Sequence, residues 1–298
     1  MAGVRERWIW AVDEYGRPPV GRGGRAAHDT ALRGASLKIT ADFLYLRAFV
    51  RKCREITSME SKNVIIPTYN EKENIEKIIR KVLSLEGEYH VLIVDDGSPD
   101  GTATIVKGLQ SEFSDRLALI ERSGKLGLGT AYLEGFRWSL ERGFDYIFEM
   151  DADFSHNPED LPRLLGACKE GADFAIGSRY SHGVSVVNWP IRRIIMSYFA
   201  SKYVRTVLAM KVYDSTAGFV CYSRRVLETI DLDGVRMKGY GFQIEMKYSA
   251  YKLGFKFTEV PIIFINRTRG TSKMSSTIFG EAFSGVIKLR FRKIKPRQ

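Results

Sequence analysis

Tyr146-Ile147-Phe148-Glu149-Met150-Asp151-Ala152-Asp153-Phe154-Ser155-His156-Asn157-Pro158 decides how the chain folds. The apolar run from Tyr146 to Met150 predicts a buried strand, and Pro158-Glu159-Asp160-Leu161 is a proline-led, acidic start to a helix. Two aspartates therefore stand at the carboxyl end of a strand. Alternate strand residues point the same way, so Asp151 and Asp153 can approach one point while small Ala152 lets another group pass between them. Hard oxygen donors with little else around them suit Mg²⁺ or Mn²⁺, which complete their coordination with waters and substrate phosphates. The pattern points to a nucleotide-diphosphate site. The same residues taken alone also fit a turn and a helix cap.

Working outward, the strand has partners on both sides. Asn63-Val64-Ile65-Ile66-Pro67 reads as a short buried strand, and Asn70 to Ser84 as a helix with Ile75, Ile78, Ile79 and Val82 on one face. Val91 to Val94 is a second strand, followed by a helix through Leu109. Leu117 to Glu121 is a third, followed by a helix through Leu140. Phe174-Ala175-Ile176-Gly177-Ser178 and Val260 to Arg267 read as later strands, and Pro190 to Val212 as a basic amphipathic helix. Strands alternating with helices predict a mostly parallel α/β sheet, whose ligands gather at strand carboxyl ends.

The strand ends carry the chemistry. Pro67-Thr68-Tyr69-Asn70-Glu71 offers Tyr69 as a flat face for a base and Glu71 as acceptor for the paired N–H donors of guanine. Asn70 capping the next helix, with Glu71 in its first turn, explains the same residues and is compatible with that role. Asp95-Asp96-Gly97-Ser98 places carboxylates suited to ribose hydroxyls at a second strand end. Gly124 to Gly129 lacks the spacing of an ATP phosphate loop or a dinucleotide fingerprint, which argues against both, and leaves Lys125 on a flexible loop. Arg179 ends another strand. It can give a phosphate bidentate contacts or serve as a structural ion pair. Arg267 and Lys273 sit on a glycine-containing loop placed to close over an anion.

Bulk properties narrow the class. The chain has 298 residues, 44% hydrophobic and 27% charged, which is enough for a sizeable globular core. Its 46 lysines and arginines against 35 acids give a net charge of +11, which fits an anionic partner. Cys53, Cys168 and Cys221 are widely spaced with no metal or disulfide pattern, so a reduced setting is expected. No apolar run approaches the ~18–20 residues of a membrane span, and the first 58 residues have no signal-peptide core. Residues 1–60 mix arginines with glycine and proline and read as a poorly ordered extension, with Met59 a candidate natural start. Residues 279–298 form a basic amphipathic tail suited to anionic lipid.

In order along the chain, Pro-Thr-Tyr-Asn-Glu from Pro67, Asp-Asp-Gly-Ser-Pro-Asp-Gly-Thr from Asp95, Lys-Leu-Gly-Leu-Gly from Lys125, Asp-Ala-Asp-Phe-Ser-His from Asp151, Gly-Ser-Arg-Tyr from Gly177, Thr-Ala-Gly-Phe from Thr216 and Arg-Thr-Arg-Gly-Thr-Ser-Lys from Arg267 form one set. That set resembles the dolichyl- or polyprenyl-phosphate mannosyltransferases, inverting glycosyltransferases of the GT-A, Rossmann-like type. The resemblance implies one catalytic domain over residues 61–278 that transfers mannose from GDP-mannose to a polyprenyl phosphate. It implies Pro67, Tyr69, Glu71, Val94 and Asp96 around guanosine, and Asp151, Ala152 and Asp153 at the metal and diphosphate. Ser155 stands where related enzymes often have Gln, as a third metal ligand. Arg179, Arg267 and Lys273 would bind phosphate, with Asp153 and Arg179 the residues most tied to catalysis, and Arg193 and Ser197, one helical turn apart, would grip the lipid phosphate.

An ionised phosphate nucleophile needs no dedicated general base. Mg²⁺ or Mn²⁺ is the implied cofactor. The enzyme would be cytoplasmic, peripheral on the cytosolic membrane face, with no nucleic-acid partner. The rival expectations are the same fold using UDP-glucose or another nucleotide sugar, and a nonenzymatic binder drawn by positive charge. Acidic strand ends disfavour the latter.

Overall fold

The computed structural model of the chain describes residues 60–237, 239–266 and 276–297. The expected extension over residues 1–60 lies outside them except for Glu60, and so do Arg267 and Lys273.

Apolar residues of β1 (Lys62–Thr68) alternate between two cores, which is why the strand reads as one unbroken hydrophobic run. Ile65 faces one layer with Leu92, Phe136 and Phe242. Val64 and Ile66 face the other, with Ile78, Ile79 and Phe148. The strand is flanked in parallel by β2 (Tyr89–Asp95) and β4 (Tyr146–Glu149), and β3 (Leu117–Glu121) lies beyond β2. With β5 (Phe174–Ser178), β7 (Val220–Ser223) and β8 (Phe257–Pro261), the order is β3-β2-β1-β4-β7-β5-β8. Strand β7 runs antiparallel to both β4 and β5. The residues that lead into β7 therefore lie beside the residues that leave β4 and β5. A separate pair, β6 (Val186–Val187) and β9 (Phe264–Ile265), stands by that edge.

Helices α1 (Ile75–Leu83), α2 (Thr102–Gln110) and α4 (Leu161–Lys169) supply one layer. The other holds α3 (Leu128–Glu141), α5 (Ile191–Leu208), α6 (Arg224–Thr229), α7 (Tyr240–Lys252) and α8 (Ser276–Phe291). Gly135 lets α3 lie close against β1, because a Cβ there would stand 2.7 Å from Ile65 Cγ2. Among the described residues no helix is long and apolar enough to cross a membrane.

Several boundaries differ from the sequence reading, each for a local reason. Helix α1 starts at Ile75, not Asn70, because Asn70 adopts a left-handed φ of 57° and does not cap it. The backbone N–H groups of Asn70, Glu71 and Lys72 go instead to Ser98 Oγ, Thr102 Oγ1 and Asp100 Oδ2, which fastens the loop after β1 to the loop after β2. Helix α5 stops at Leu208, where Ala209 turns left-handed and sends Met210 and Val212 into the core. Helix α8 runs across the boundary expected at 278/279 and buries Val286 and Leu289. The remaining tail is tied down as well. Arg292 pairs with buried Glu245, Arg297 N donates to Thr229 O at 2.8 Å, and Pro296 bridges Ile230. Cys168 and Cys221 are free and buried, and Cys53 lies outside the described residues.

Candidate active site

Four loops meet at one edge of the sheet: those leaving β1, β2 and β4, and the segment 213–219 entering β7. The β2 loop is built around carboxylates that are already engaged. Asp95 accepts from Thr68 Oγ1, Ser98 Oγ and Ser98 N, forming a tight turn. Asp96, 6% exposed, accepts from Arg122 Nη1 at 2.7 Å and from Gly127 N at 3.1 Å. The sequence reading gave these carboxylates to ribose and did not single out Arg122. In the structure Asp95 closes its own turn and Asp96 holds the glycine-rich loop, where Gly127 needs its φ of 105°. Val94 is wholly buried, so it forms the floor of this end and presents no surface of its own. Half-buried Tyr69 and Glu71 flank the opening. Lys125 Nζ lies 4.8 Å from the centre of the Tyr69 ring, and Glu71 accepts from Asn74 Nδ2.

The β4 loop is held by His156. Its Nδ1 accepts the Asp151 backbone N–H at 3.2 Å, while its ring stacks on Phe219 (4.9 Å, 10°) and meets the edge of Phe264 (5.4 Å, 79°). Burial pushes the imidazole down to about 4, so it stays neutral with its proton on Nε2. Asp153 Oδ1 accepts from Ser155 N, and Phe154 takes a left-handed φ of 59°. The helix cap at this site is Asn157, whose Oδ1 accepts from Glu159 N, with Pro158 in the first turn. Asp151 and Asp153 therefore remain half-exposed at the strand end, and Ser155 Oγ is buried with no hydrogen-bond partner. Two accessible carboxylates and an unpartnered hydroxyl form an all-oxygen donor set that fits a hard divalent ion. Among the described residues no group of three or more His, Cys, Asp or Glu could hold a metal ion.

The arginine at the end of β5 is engaged in an ion pair. Arg179 makes a buried fork with Asp214: Nε to Oδ2 at 2.7 Å, Nη2 to Oδ1 at 2.6 Å, and its backbone N to Oδ2 at 2.9 Å. Nη2 also donates to Thr216 Oγ1. Burial opposes the Asp214 charge, but Arg179 holds the carboxyl below its ordinary range. The guanidinium lies between the rings of Tyr180, Trp189 and Phe264, 5.3–5.5 Å from each. Arg193 covers the Trp189 ring at 3.9 Å and donates to Asn266 Oδ1, while Ser197 Oγ accepts from Tyr180 OH at 2.7 Å. The structure thus brings Arg179, Arg193 and Ser197 together. Phe264 touches both His156 and Arg179, which links this cluster to the aspartate loop.

Segment 213–219 is fixed from behind by residues that no motif revealed. Glu259 accepts from the backbone N–H groups of Tyr213 and Asp214. Lys247 Nζ, wholly buried on α7, donates to Ala217 O (2.6 Å), Gln243 O (3.2 Å) and Gln243 Oε1 (3.1 Å). Beside it lies Glu149, also wholly buried, where the Gln243 side chain favours its charged form. Burial pushes Glu149 up and Lys247 down, and each opposes the shift of the other.

The surface next to the arginine cluster is apolar. Ile191, Ile195, Tyr198 and Phe199 are exposed on α5, and Phe283, Ile287 and Phe291 form an exposed row on α8. The two helices are joined where Tyr203 stacks on Phe283 (4.3 Å, 13°).

Comparison with known proteins agrees with this geometry. The family model described as Glycosyl transferase family 2 matches residues 63–231. The chain is 50% identical over 223 residues to the polyprenol monophosphomannose synthase of Mycolicibacterium smegmatis, covering 75% of this chain and 84% of the relative. It is 46% identical over 222 residues to the undecaprenyl-phosphate mannosyltransferase of Micrococcus luteus, covering 74% and 90%. Among solved structures it is similar to the glucosyl-3-phosphoglycerate synthase of Mycobacterium tuberculosis in complex with Mn²⁺, UDP-glucose and phosphoglyceric acid. There the TM-score is 0.56 and the identity 17%, with 78% of this chain and 80% of the other covered. At that identity the likeness concerns the fold.

Proposed function

The chain belongs to glycosyl transferase family 2, and we propose that it transfers mannose from GDP-mannose to the phosphate of a polyprenyl lipid, with inversion and with a divalent metal. The observation that carries this reading is the single contact chain from the half-exposed aspartates through His156 and Phe264 to the paired arginines. It sets the acidic strand end and the arginines side by side, which supports reading the first for a metal-bound diphosphate and the second for another phosphate.

In this reading Asp151 and Asp153, with Ser155 behind them, hold Mg²⁺ or Mn²⁺. That ion supplies charge neutralisation for the departing diphosphate. Tyr69 and Glu71 take the guanine, with Pro67 and Ala152 lining the approach. Arg267 and Lys273 close on the phosphates. Arg179, held in place by Asp214, and Arg193 with Ser197 receive the lipid phosphate. That phosphate is ionised at neutral pH, so attack on the sugar needs no proton removed by the protein. His156 is committed to the Asp151 backbone and acts as a support. In-line displacement at an α-linked donor gives a β-linked mannosyl phosphoryl lipid.

The exposed faces of α5 and α8, with Arg192, Lys202, Lys288, Arg290 and Lys293 nearby in sequence, would rest in the headgroup region of the cytosolic leaflet as a peripheral attachment. The test is transfer of labelled mannose from GDP-mannose into organic-extractable lipid by purified protein, with a polyprenyl phosphate and Mg²⁺ or Mn²⁺. Label that disappears with chelator supports donor, acceptor class and metal together. Label obtained from UDP-sugars alone would move the function to another donor.

A further inference from the structure

Lys247 is wholly buried, and among the described residues its ammonium donates to three oxygens. Two of those bonds stay within α7, at Gln243. The third crosses to Ala217 O in the segment that enters β7. That segment also contains Asp214, which grips Arg179, Thr216, which accepts from Arg179 Nη2, and Phe219, on which His156 stacks. Glu259 fixes the start of the segment through the N–H groups of Tyr213 and Asp214, and Lys247 fixes its end. A neutral helix residue would give Ala217 O no cationic donor. Glu149, Asp214 and Glu259 favour the charged form of Lys247 against the cost of its burial.

We infer that Lys247 is a positioning residue for the acceptor side of the site: by tying Ala217 to α7 it sets where Asp214 holds Arg179 beside Arg193. The inference rests on the reading that these arginines receive the lipid phosphate. Among the described residues no hydrogen bond of Lys247 reaches the β1 or β2 loop, so its loss should leave the guanosine end of the site alone.

Loss of a buried cation can by itself unfold the protein, so Lys247→Met is compared with Glu149→Gln/Lys247→Met, which also removes a buried acid that favours the ammonium. In this double variant the KM for polyprenyl phosphate is expected to rise about 10–100-fold, as for other groups that orient a ligand-binding side chain. GDP affinity by calorimetry should stay within about twofold of wild type. Glu149→Gln alone, which keeps the ammonium, should show a much smaller rise in that KM. Hydrogen exchange in the peptide over residues 213–219 should quicken in the double variant, while the peptide over residues 89–100 stays unchanged. Unchanged KM for the lipid, equal loss of GDP affinity, or unaltered exchange at 213–219 would each overturn the inference. The exchange measurement needs no turnover. Failure of the wild type to transfer mannose would therefore refute the functional reading separately from the placement of the loop.

Discussion

Asp214 accepts from Arg179 Nε, Nη2 and backbone N, and neither partner has more than a small exposed edge. Asp214→Ala would leave a buried guanidinium without its counterion, and about 3–5 kcal/mol of stability should be lost in chemical denaturation. Asp153→Ala acts differently. It removes a half-exposed carboxylate, so transfer should fall by at least about a hundredfold while the denaturation midpoint and binding to lipid vesicles stay close to wild type. His156 gives a pH signature. Its folded value near 4 lies below the ordinary 6.5, so between those values the unfolded chain binds a proton that the native protein refuses. Stability should therefore be full above about pH 6.5 and fall by up to ~3 kcal/mol as the pH drops toward 4. Urea midpoints of the metal-free protein across that range should show the slope, and His156→Gln should flatten it.

At the level of helices and strands, the glycine at 135 is a sharp test of how closely α3 lies on β1. Alanine is the better helix former by about 1 kcal/mol, yet its methyl group would stand 2.7 Å from Ile65 Cγ2. Overpacking of this kind costs about 1–3 kcal/mol, so Gly135→Ala should lower stability despite the gain in propensity. The apolar rows on α5 and α8 predict the opposite behaviour. Ile195→Asp with Phe291→Asp changes exposed positions, so folding should be unaffected while co-sedimentation with anionic vesicles drops.

The same elements mark how far the sequence could be read. Strands β1, β2 and β4 were legible because parallel strands buried on both faces are continuous apolar runs. The start of α1 was not, because the donors expected to go to a local cap go to Ser98, Thr102 and Asp100 in another loop. Helix α7 gave no periodic signal, since residues from Gly241 to Ala250 are buried on all its sides, Gln243, Glu245 and Lys247 among them. At the site, the aspartates and arginines stood out by type and position. Their supports did not: Arg122, Asp214, Glu259 and Lys247 act across sequence separations of 26 to 45 residues that no local pattern carries.

For the whole molecule, the last residues are part of the fold. Arg292 neutralises Glu245, which also accepts from the N–H groups of Arg236 and Met237, and Arg297 and Pro296 fasten to Thr229 and Ile230. Deleting residues 292–298 should cost about 1–3 kcal/mol, read from the thermal or urea midpoint, because a buried carboxylate loses its cation. A cut before Lys288 would also remove buried Leu289, so loss of vesicle binding after that cut would mix unfolding with detachment.

The strand order has a consequence for the chain as it is made. β4 pairs with β1 on one side as soon as both have emerged, but its other neighbour, β7, begins only at Val220. During synthesis of the intervening stretch, β4 has an open hydrogen-bonding edge flanked by apolar residues, the feature that invites pairing with a second chain. Pausing of translation between Met150 and Val220 would lengthen that exposure. A chaperone that covers nascent β-edges would shorten it, and the yield of soluble protein is the quantity that would register either change.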